Sequence, residues 1–390
     1  MKYSALTKNL FVVTFFLLLV SCTKETEEPE TGTGTGTGTG TVPPSLNGQI
    51  ATFTRIPIPT VDVANRIVPN MQLFYVTNKG PYVQVGDASQ INQPTFRVYK
   101  YQGGSGALAW SSFAPGFPVT YFRPTSMYYE KSVTEFSIYW AELDKYGMYN
   151  INTGTPSFNY TVPDGANGPY VVSEVIPITA SNFTGGPWFL SGNEVWKESS
   201  VVVPKKFTKV VDLPASVMRF HTDAILADPD EPTRLWVAAG DRLYQVSSVG
   251  NPTPPYGKIE ASWNFNGGSS RISTLLKVGS DIVVQLGTGI YKKSGTSFSK
   301  IGTVNTSLPV NNICTNGSQI FTSDGNYYDS NTGTWKSFLK KGSTLSTADD
   351  KKLAELQQLL NVGAPIGCLY GSSGPIYALT PTELIVINPL

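Results

Sequence analysis

Arg242-Leu243-Tyr244-Gln245 and Gly289-Ile290-Tyr291-Lys292 are two copies of a short strand-like tetrad that recurs along the chain, with an aromatic or aliphatic residue in third place. The third positions are residues 99, 149, 196, 244, 291, 328 and 385, so most steps are close to 47 residues and the last two average 47. The remaining copies are Arg97-Val98-Tyr99-Lys100, Gly147-Met148-Tyr149-Asn150, Glu194-Val195-Trp196-Lys197, Asn326-Tyr327-Tyr328-Asp329 and Glu383-Leu384-Ile385-Val386.

β-forming residues at this period predict one four-stranded sheet per repeat, and seven copies predict an all-β, seven-bladed β-propeller. An apolar segment precedes each tetrad, and in several copies a turn such as Gly240-Asp241 or Asp324-Gly325 lies between the two. We interpret these segments, Leu73–Val76 in the first copy included, as second strands and the tetrads as third strands.

The last copy has no fourth strand, because the sequence stops at Leu390 soon after it. A blade without its outer strand would expose a long edge. The segment from Gln49 to Arg55, which alternates polar and apolar residues at its start, is otherwise unassigned. We therefore expect this N-terminal strand to complete the seventh blade and close the ring.

One segment has helical rather than strand periodicity. Leu353, Leu356 and Leu360 recur at the spacing of one helix face. Thr347, with Asp350 three residues later, has the pattern of a capping box. The sequence thus predicts one helical insertion, at about residues 347–361, between blades six and seven, docked through these leucines.

The N-terminus has the pattern of a secretion signal. Lys2 and Lys8 precede an apolar run from Leu10 to Val20, which is too short to span a bilayer as a helix. The run ends in Leu19-Val20-Ser21-Cys22, which resembles a lipobox and implies a lipidated Cys22 that anchors the protein in a membrane; the alternative is an ordinary signal peptide with a chance cysteine.

Three regions follow from this interpretation: a signal peptide (1–21), a lipidated cysteine with a flexible linker (22–46) and one propeller domain (47–390). The linker contains five Thr-Gly repeats without a large apolar residue, which is typical of a flexible spacer. The stretch from Lys24 to Glu28 resembles the surface-export signal of Bacteroidota lipoproteins. That resemblance implies an outer-membrane or cell-surface location.

Cys314 and Cys368 are the other cysteines of the chain, and each lies three residues before a glycine, Gly317 or Gly371. They therefore occupy equivalent positions in neighbouring blades. An oxidising compartment permits a disulfide between them if their Cα atoms come within about 7 Å. Leu276, the equivalent residue one blade earlier, favours two buried free thiols instead.

Composition argues against several classes of function. A formal net charge of +1, with 15% charged residues, provides no basic field for nucleic acid. A single histidine, His221, cannot build a zinc site with only these cysteines, and no Gly-x-Ser-x-Gly motif accompanies it. We expect no metal or cofactor. A glycosidase with two carboxylates stays open, with three loop acids as candidates: Asp144, Asp164 and Asp223.

Parts of the chain resemble known propeller families. The segments Ala227–Val237 and Gly289–Phe298 are similar to hairpins of Asp-box propellers, which include sialidases and sortilin-like receptors. The segment Ser330–Trp335 resembles a degenerate Asp box, and Tyr328–Trp335 also resembles a kelch repeat. The resemblance implies the propeller fold, and no functional residue of these families has a counterpart here.

The longest connections predict where a ligand binds. They cover residues 78–95, residues 114–131 and the helical insertion, and all three are expected on one face near the junction of blades seven and one. Aromatic residues are frequent in the second of them, and exposed aromatic rings are typical of binding surfaces. The ring-stacking candidates are Tyr121, Tyr128 and Tyr129, with Arg123 among them; the alternative is that such rings pack the insertion against the blades.

Together these patterns favour a non-catalytic, membrane-anchored surface protein that binds a glycan or an outer-membrane protein partner. Two other classes remain. One is a hydrolase or lyase that acts on polysaccharides through loop carboxylates. The other is a structural subunit of an outer-membrane complex.

Overall fold

The structure is a computed structural model, in which Leu46–Leu390 forms one compact unit. The description covers residues 47–59, 73–77, 80–87, 95–104, 110–118, 127–130, 136–142, 145–150, 155–161, 172–175, 188–191, 194–198, 207–214, 224–228, 231, 233–251, 253, 255–266, 270–304, 313–361, 364–369 and 371–390.

The described residues form thirty strands and one helix. The strands of the first half are β1 (Gln49–Ile50), β2 (Thr52–Pro57), β3 (Leu73–Thr77), β4 (Gly80–Asp87), β5 (Thr95–Tyr101), β6 (Trp110–Pro118), β7 (Met127–Glu130), β8 (Phe136–Glu142), β9 (Lys145–Asn150), β10 (Thr155–Thr161), β11 (Val172–Val175), β12 (Trp188–Ser191), β13 (Glu194–Glu198) and β14 (Phe207–Asp212).

The second half contains the helix α1 between its last two sheets. Its elements are β15 (Ala224–Ala227), β16 (Arg234–Ala239), β17 (Arg242–Ser247), β18 (Lys258–Asn264), β19 (Ile272–Val278), β20 (Asp281–Leu286), β21 (Gly289–Ser294), β22 (Ser297–Thr303), β23 (Ile313–Thr315), β24 (Gln319–Thr322), β25 (Asn326–Asp329), β26 (Thr334–Ser337), β27 (Lys340–Lys341), α1 (Thr347–Asn361), β28 (Ile366–Cys368), β29 (Ile376–Leu379) and β30 (Glu383–Asn388).

The described strands pair into seven four-stranded antiparallel sheets. Six are meanders of consecutive strands, which we number in chain order: sheet I (β3–β6), sheet II (β7–β10), sheet III (β11–β14), sheet IV (β15–β18), sheet V (β19–β22) and sheet VI (β23–β26). Sheet VII has the order β2-β30-β29-β28, and β1 pairs separately with β27. The first strands of sheets IV, V, VI, VII and I are successive neighbours in space.

Each recurring tetrad lies in the third strand of its sheet, as predicted, from β5 in sheet I to β30 in sheet VII. The second strands also fall where the sequence placed them, except in sheet I. There the assignment of Leu73–Val76 was wrong, because Leu73–Thr77 is the first strand and Gly80–Asp87 is the second. The segment 78–95, interpreted as an insertion, therefore contains a strand of the sheet itself.

Burial differs between the second and the fourth strand of a sheet. In sheet V, β20 is buried from Ile282 to Leu286, whereas the fourth strand β22 is mostly exposed or half-buried. The fourth strand of sheet IV, β18, alternates strictly between exposed and half-buried residues. A strand that is covered on both faces requires a continuous run of apolar residues, whereas a strand with one solvent-exposed face requires alternating polar and apolar residues.

The N-terminal strand β2 is the fourth strand of sheet VII. It runs antiparallel to β30 with Thr52 opposite Asn388 and Pro57 opposite Glu383. The side chain of Ile56 is fully buried in this pairing. Arg55 adds an exposed ionic contact, donating to Glu383 Oε2 at 2.7 Å and, from the other guanidinium nitrogen, to Glu355 Oε1 of α1 at 2.9 Å.

The helix lies where the sequence predicted it, but its cap is one residue earlier. Ser346 Oγ accepts the backbone N–H of Asp349 at 3.1 Å and donates to Asp349 Oδ2 at 2.7 Å. Thr347 is already the first helical residue, and an N-cap must have non-helical backbone, so the predicted pairing of Thr347 with Asp350 was wrong. The three leucines Leu353, Leu356 and Leu360 are buried, as expected.

Glycine turns connect the first strands of neighbouring sheets. Gly279 N–H donates to Gly317 O at 2.7 Å, and Gly371 N–H donates to Asn316 O at 2.8 Å. All three glycines have positive φ, between 57° and 97°, a conformation that a side chain disfavours. The shared geometry supports the equivalence of Cys314 and Cys368, which are buried free thiols in this structure.

Candidate binding surface

Most of the residues that the sequence singled out lie outside the described part of the chain. These are Cys22, Tyr121, Arg123, Asp144, Asp164, His221 and Asp223. Tyr128 and Tyr129 lie in β7, where their backbones pair with Ile138 and Ser137, and their side chains are not among those described. Their roles stay predictions.

The predicted insertion at residues 114–131 is also shorter than expected. The strand β6 extends through Pro118, and β7 begins at Met127. Only residues 119–126 lie between these strands, and they fall outside the described residues. Trp110, which opens β6, is buried, in keeping with the alternative that rings of this segment pack against the blades.

An aromatic cluster lies where sheets I and VII meet. The ring of Tyr101 makes edge-on contacts with Trp110 (5.8 Å between centroids) and with Tyr377 (6.2 Å). Trp110 Nε1 donates to the carbonyl oxygen of Pro57 at 2.8 Å, which ties sheet I to the end of β2. T-shaped pairs at such distances stabilise a cluster beyond the apolar area that they bury.

The three rings differ in exposure. Trp110 and Tyr377 are buried, whereas Tyr101 is half-buried and is followed by the exposed residues Gln102, Gly103 and Gly104. The cluster therefore consists of a buried base under one ring that reaches the surface. Such a ring, held in place from below, can stack on the flat apolar face of a sugar or receive a partner side chain at a small entropic cost.

Burial favours the neutral form of the two tyrosines. Desolvation raises the pKa of Tyr377, and the neighbouring Tyr101 adds a smaller electrostatic contribution in the same direction. Desolvation also raises the pKa of Tyr101. Both phenols are therefore neutral at physiological pH. The Tyr101 hydroxyl donates to Gly104 O at 3.4 Å, and its oxygen can accept a hydrogen bond from a ligand.

Strand direction assigns the cluster to one edge of the sheets. Tyr101 ends a third strand, and Tyr377 lies at the start of a second strand. In an antiparallel meander, these two ends lie on the side of the turns that join first to second and third to fourth strands. The cluster lies at the junction of sheets VII and I, on the side opposite to the connections that join second to third strands and one sheet to the next, which is the side on which the insertions were expected.

The buried carboxylates of the described residues are engaged with cations. Asp228 accepts from Lys277 Nζ at 2.9 Å, a contact that joins sheet IV to sheet V. Glu194 accepts from Lys209 Nζ at 3.1 Å and from Trp196 Nε1 at 3.2 Å. These contacts cross-link neighbouring strands and sheets.

The half-buried Asp329 is also paired with a cation, and the hydrogen bond from Lys336 lowers the pKa of the Asp329 carboxyl. Within the described ranges, no three His, Cys, Asp or Glu side chains come together as ligands for a metal ion. Nor do those ranges contain a helix with the length and apolarity needed to cross a membrane.

Comparison with known proteins found similarity in structure but none in sequence. No family model matches the chain, and no curated protein matches it. A chain of the mitotic checkpoint complex superimposes with a TM-score of 0.50 at 10% identity, over 86% of this chain and 97% of that one.

Two further solved structures are similar. The Cps50 (Swd1) β-propeller domain of Myceliophteria thermophila has a TM-score of 0.48 at 10% identity, over 86% of this chain and 99% of that one. The extracellular domain of the one component system BT4673 from B. thetaiotaomicron has a TM-score of 0.47 at 12% identity, over 86% of this chain and 39% of that one. With its repeated four-stranded meanders, the chain has a β-propeller fold, and at these identities the likeness extends to the fold alone.

Proposed function

We propose that this chain is a non-catalytic, membrane-anchored binding protein whose propeller recognises a glycan or a protein partner. The observation that carries the proposal is the half-buried Tyr101 on its buried base of Trp110 and Tyr377. Rigid, partly exposed aromatic rings at the edge of a sheet are typical of ligand-binding surfaces. The contacts of Asp228 with Lys277 and of Glu194 with Lys209 support a structural role for these two carboxylates.

In the proposed architecture, the seven sheets are the blades of one closed seven-bladed propeller. Three observations support closure between sheets VII and I: β28 neighbours β3, Trp110 donates to Pro57 O, and one apolar cluster contains residues of both sheets, including Val83, Tyr99 and Leu379. The binding surface then lies at the closing junction, next to the strand β2 that follows the linker.

The proposed location is the outer membrane or cell surface, with Cys22 as the lipid-bearing residue. The support comes from the sequence: a positively charged start, an apolar run of eleven residues and a cysteine directly after it. Several acyl chains on one cysteine anchor a protein firmly, since each buried CH₂ contributes about 0.8 kcal/mol. The Thr-Gly linker would hold the propeller away from the membrane.

We expect substitution of Cys22 by alanine to abolish lipidation. Cells that express the full chain are labelled with an alkyne fatty acid, and the protein is then detected by click chemistry. The wild type should be labelled and should fractionate with membranes, whereas C22A should show neither property. Cys314→Ala serves as the control and should be labelled like the wild type. Label that persists in C22A would refute the anchor.

Binding is tested on the unit from Leu46 to Leu390 with a glycan array and, in parallel, with a pull-down from outer-membrane extract. We expect Tyr101→Ala to weaken the recovered interaction about 3- to 10-fold, as estimated for loss of one aromatic contact, and Tyr101→Phe to retain most of it. Tyr256→Ala is the matched control, because Tyr256 is 45% exposed in the connection between β17 and β18 of sheet IV.

The outcomes separate the ligand classes. Glycan binding that depends on Tyr101 supports sugar recognition. No glycan binding, together with capture of a membrane protein that Y101A loses, assigns a protein partner. An interaction that Y101A and Y256A affect equally would contradict the proposed surface, and no interaction in either assay would contradict the binding function.

A further inference from the structure

The thiols of Cys314 and Cys368 lie closer together than two unbonded sulfur atoms normally do. Their Sγ atoms are 2.6 Å apart, and a disulfide bond measures about 2.05 Å. Cys314 belongs to β23 and Cys368 to β28, the first strands of sheets VI and VII, which are neighbours. A displacement of about half an ångström separates this pair from bonding distance.

Neighbouring backbone and side-chain contacts hold the two cysteine-bearing strands together. The hydrogen bond from Gly371 N–H to Asn316 O, 2.8 Å long, joins the same two strands a few residues further along. Both thiols belong to one buried apolar cluster with Phe321, Ile376 and the leucines of α1. The backbone hydrogen bond and the packing of this cluster therefore hold the two strands that carry the thiols next to each other.

We propose that Cys314 and Cys368 form an intramolecular disulfide that ties sheet VI to sheet VII when the chain folds in an oxidising compartment. The oxidant is a disulfide, either of a thiol–disulfide oxidoreductase or of a small thiol. One cysteine thiolate attacks it and forms a mixed disulfide, and the second cysteine displaces the remaining thiol. The two protein thiols are oxidised to one S–S bond, and the disulfide oxidant is reduced to two thiols.

The bond would close a loop that begins at β23 and contains the remaining strands of sheet VI, β27 and α1. That loop includes β27, which pairs with the N-terminal strand β1, and α1, which contacts Arg55 of β2 through Glu355. The cross-link therefore lies beside the elements that join the two ends of the propeller unit. By closing this loop, it would lower the conformational entropy of the unfolded chain and so favour the folded state.

Burial determines when the bond can form. Desolvation raises the pKa of the Cys314 thiol well above its usual value, and only the thiolate exchanges rapidly. Oxidation is therefore expected during folding, while the thiols are still hydrated. Once the sheets have closed, the bond should resist added reductant until the protein unfolds.

The first test maps the bond in the full-length chain. Protein folded in an oxidising compartment is denatured with N-ethylmaleimide and without reductant, and its peptides are analysed by mass spectrometry. We expect the peptides of Cys314 and Cys368 to be linked, to be two hydrogens lighter than the thiol pair, and to accept maleimide only after reduction. Maleimide on both cysteines before reduction would overturn the proposal, and so would linkage of either to a different cysteine.

The second test measures the stabilising effect. Wild-type protein is refolded with and without a thiol-free reductant present from the start, and the melting temperatures are compared. We expect the oxidised form to melt about 5 °C or more above the reduced form, whereas Cys314→Ala and the double variant C314A/C368A should show no dependence on reductant. Equal melting temperatures of the two wild-type samples would overturn the stabilising role even if the variants failed to fold.

Discussion

Removal of residues 46–58 is expected to prevent folding of the unit that otherwise begins at Leu46. The deletion takes away β1 and β2, and with β2 the whole fourth strand of sheet VII. It uncovers the edge of β30, in which the residues from Leu384 to Ile387 are buried. An exposed apolar edge promotes aggregation, and loss of the buried Ile56 side chain beyond Cβ alone costs about 2–5 kcal/mol, a large share of a typical stability of about 5–15 kcal/mol.

The measurement compares chains that start at Leu46 and at residue 59 by circular dichroism, thermal unfolding and size-exclusion chromatography. The shorter chain should be aggregated or should lack a cooperative transition. A synthetic peptide of residues 46–59 added during refolding should restore part of the folded signal. Equal melting of the two chains would contradict both the closing role of β2 and the proposed ring.

Point variants separate the strand pairing from general effects of truncation. Ile56→Ala should lower the free energy of unfolding by about 2–5 kcal/mol, because it leaves a cavity in a fully buried position. Thr54→Ala, at an exposed position two residues earlier in the same strand, should change it by less than about 0.5 kcal/mol. Similar losses in both variants would show that strand continuity, and not burial of Ile56, holds the junction.

The sequence predicted the strands well where turn residues and periodicity agree. Glycine and aspartate turns such as Gly240-Asp241 mark the hairpins between second and third strands, so the tetrads were assigned correctly. In sheet I, the second strand Gly80–Asp87 begins with Gly-Pro and ends with Gly-Asp. Those pairs are typical of turns, and the segment therefore has the local pattern of a loop although pairing with two neighbours makes it a strand.

The aromatic cluster was beyond sequence reasoning for a different reason. Tyr101 and Tyr377 lie far apart in the chain and meet because sheets I and VII are neighbours. Their contact depends on the register of β5 and β29 and on which turn each ring adjoins. Local composition drew attention to the aromatic-rich segment after Trp110. The cluster itself forms because Trp110 pairs with Tyr101 across β5 and β6, and that register is not visible in the sequence.

The buried ion pair between Asp228 and Lys277 is expected to give the largest effect of any single side chain. Asp228 follows the first strand of sheet IV, and Lys277 lies in the first strand of sheet V; their side chains are 3% and 9% exposed, and the N–O distance is 2.9 Å. Arg234 Nη1 lies 3.6 Å from the other carboxylate oxygen. Substitution of Asp228 by alanine removes the buried carboxylate that the Lys277 ammonium contacts, and breaking a buried pair in this way costs about 3–5 kcal/mol.

Urea unfolding of the unit from Leu46 to Leu390 measures this cost as a lower midpoint at unchanged slope. The matched control is Asp281→Ala, since Asp281 pairs with Lys292 at the same distance of 2.9 Å but is 36% exposed, and an exposed pair contributes about 0–1 kcal/mol. The double variant D228L/K277M removes both charges and should recover much of the loss, because an apolar pair of similar volume has no desolvated charge to compensate.

If D228A unfolds at the same urea concentration as D281A, the buried pair does not join sheets IV and V. If D228L/K277M is as unstable as D228A, the loss comes from packing or from the other contacts of Asp228, and not from breaking this ion pair.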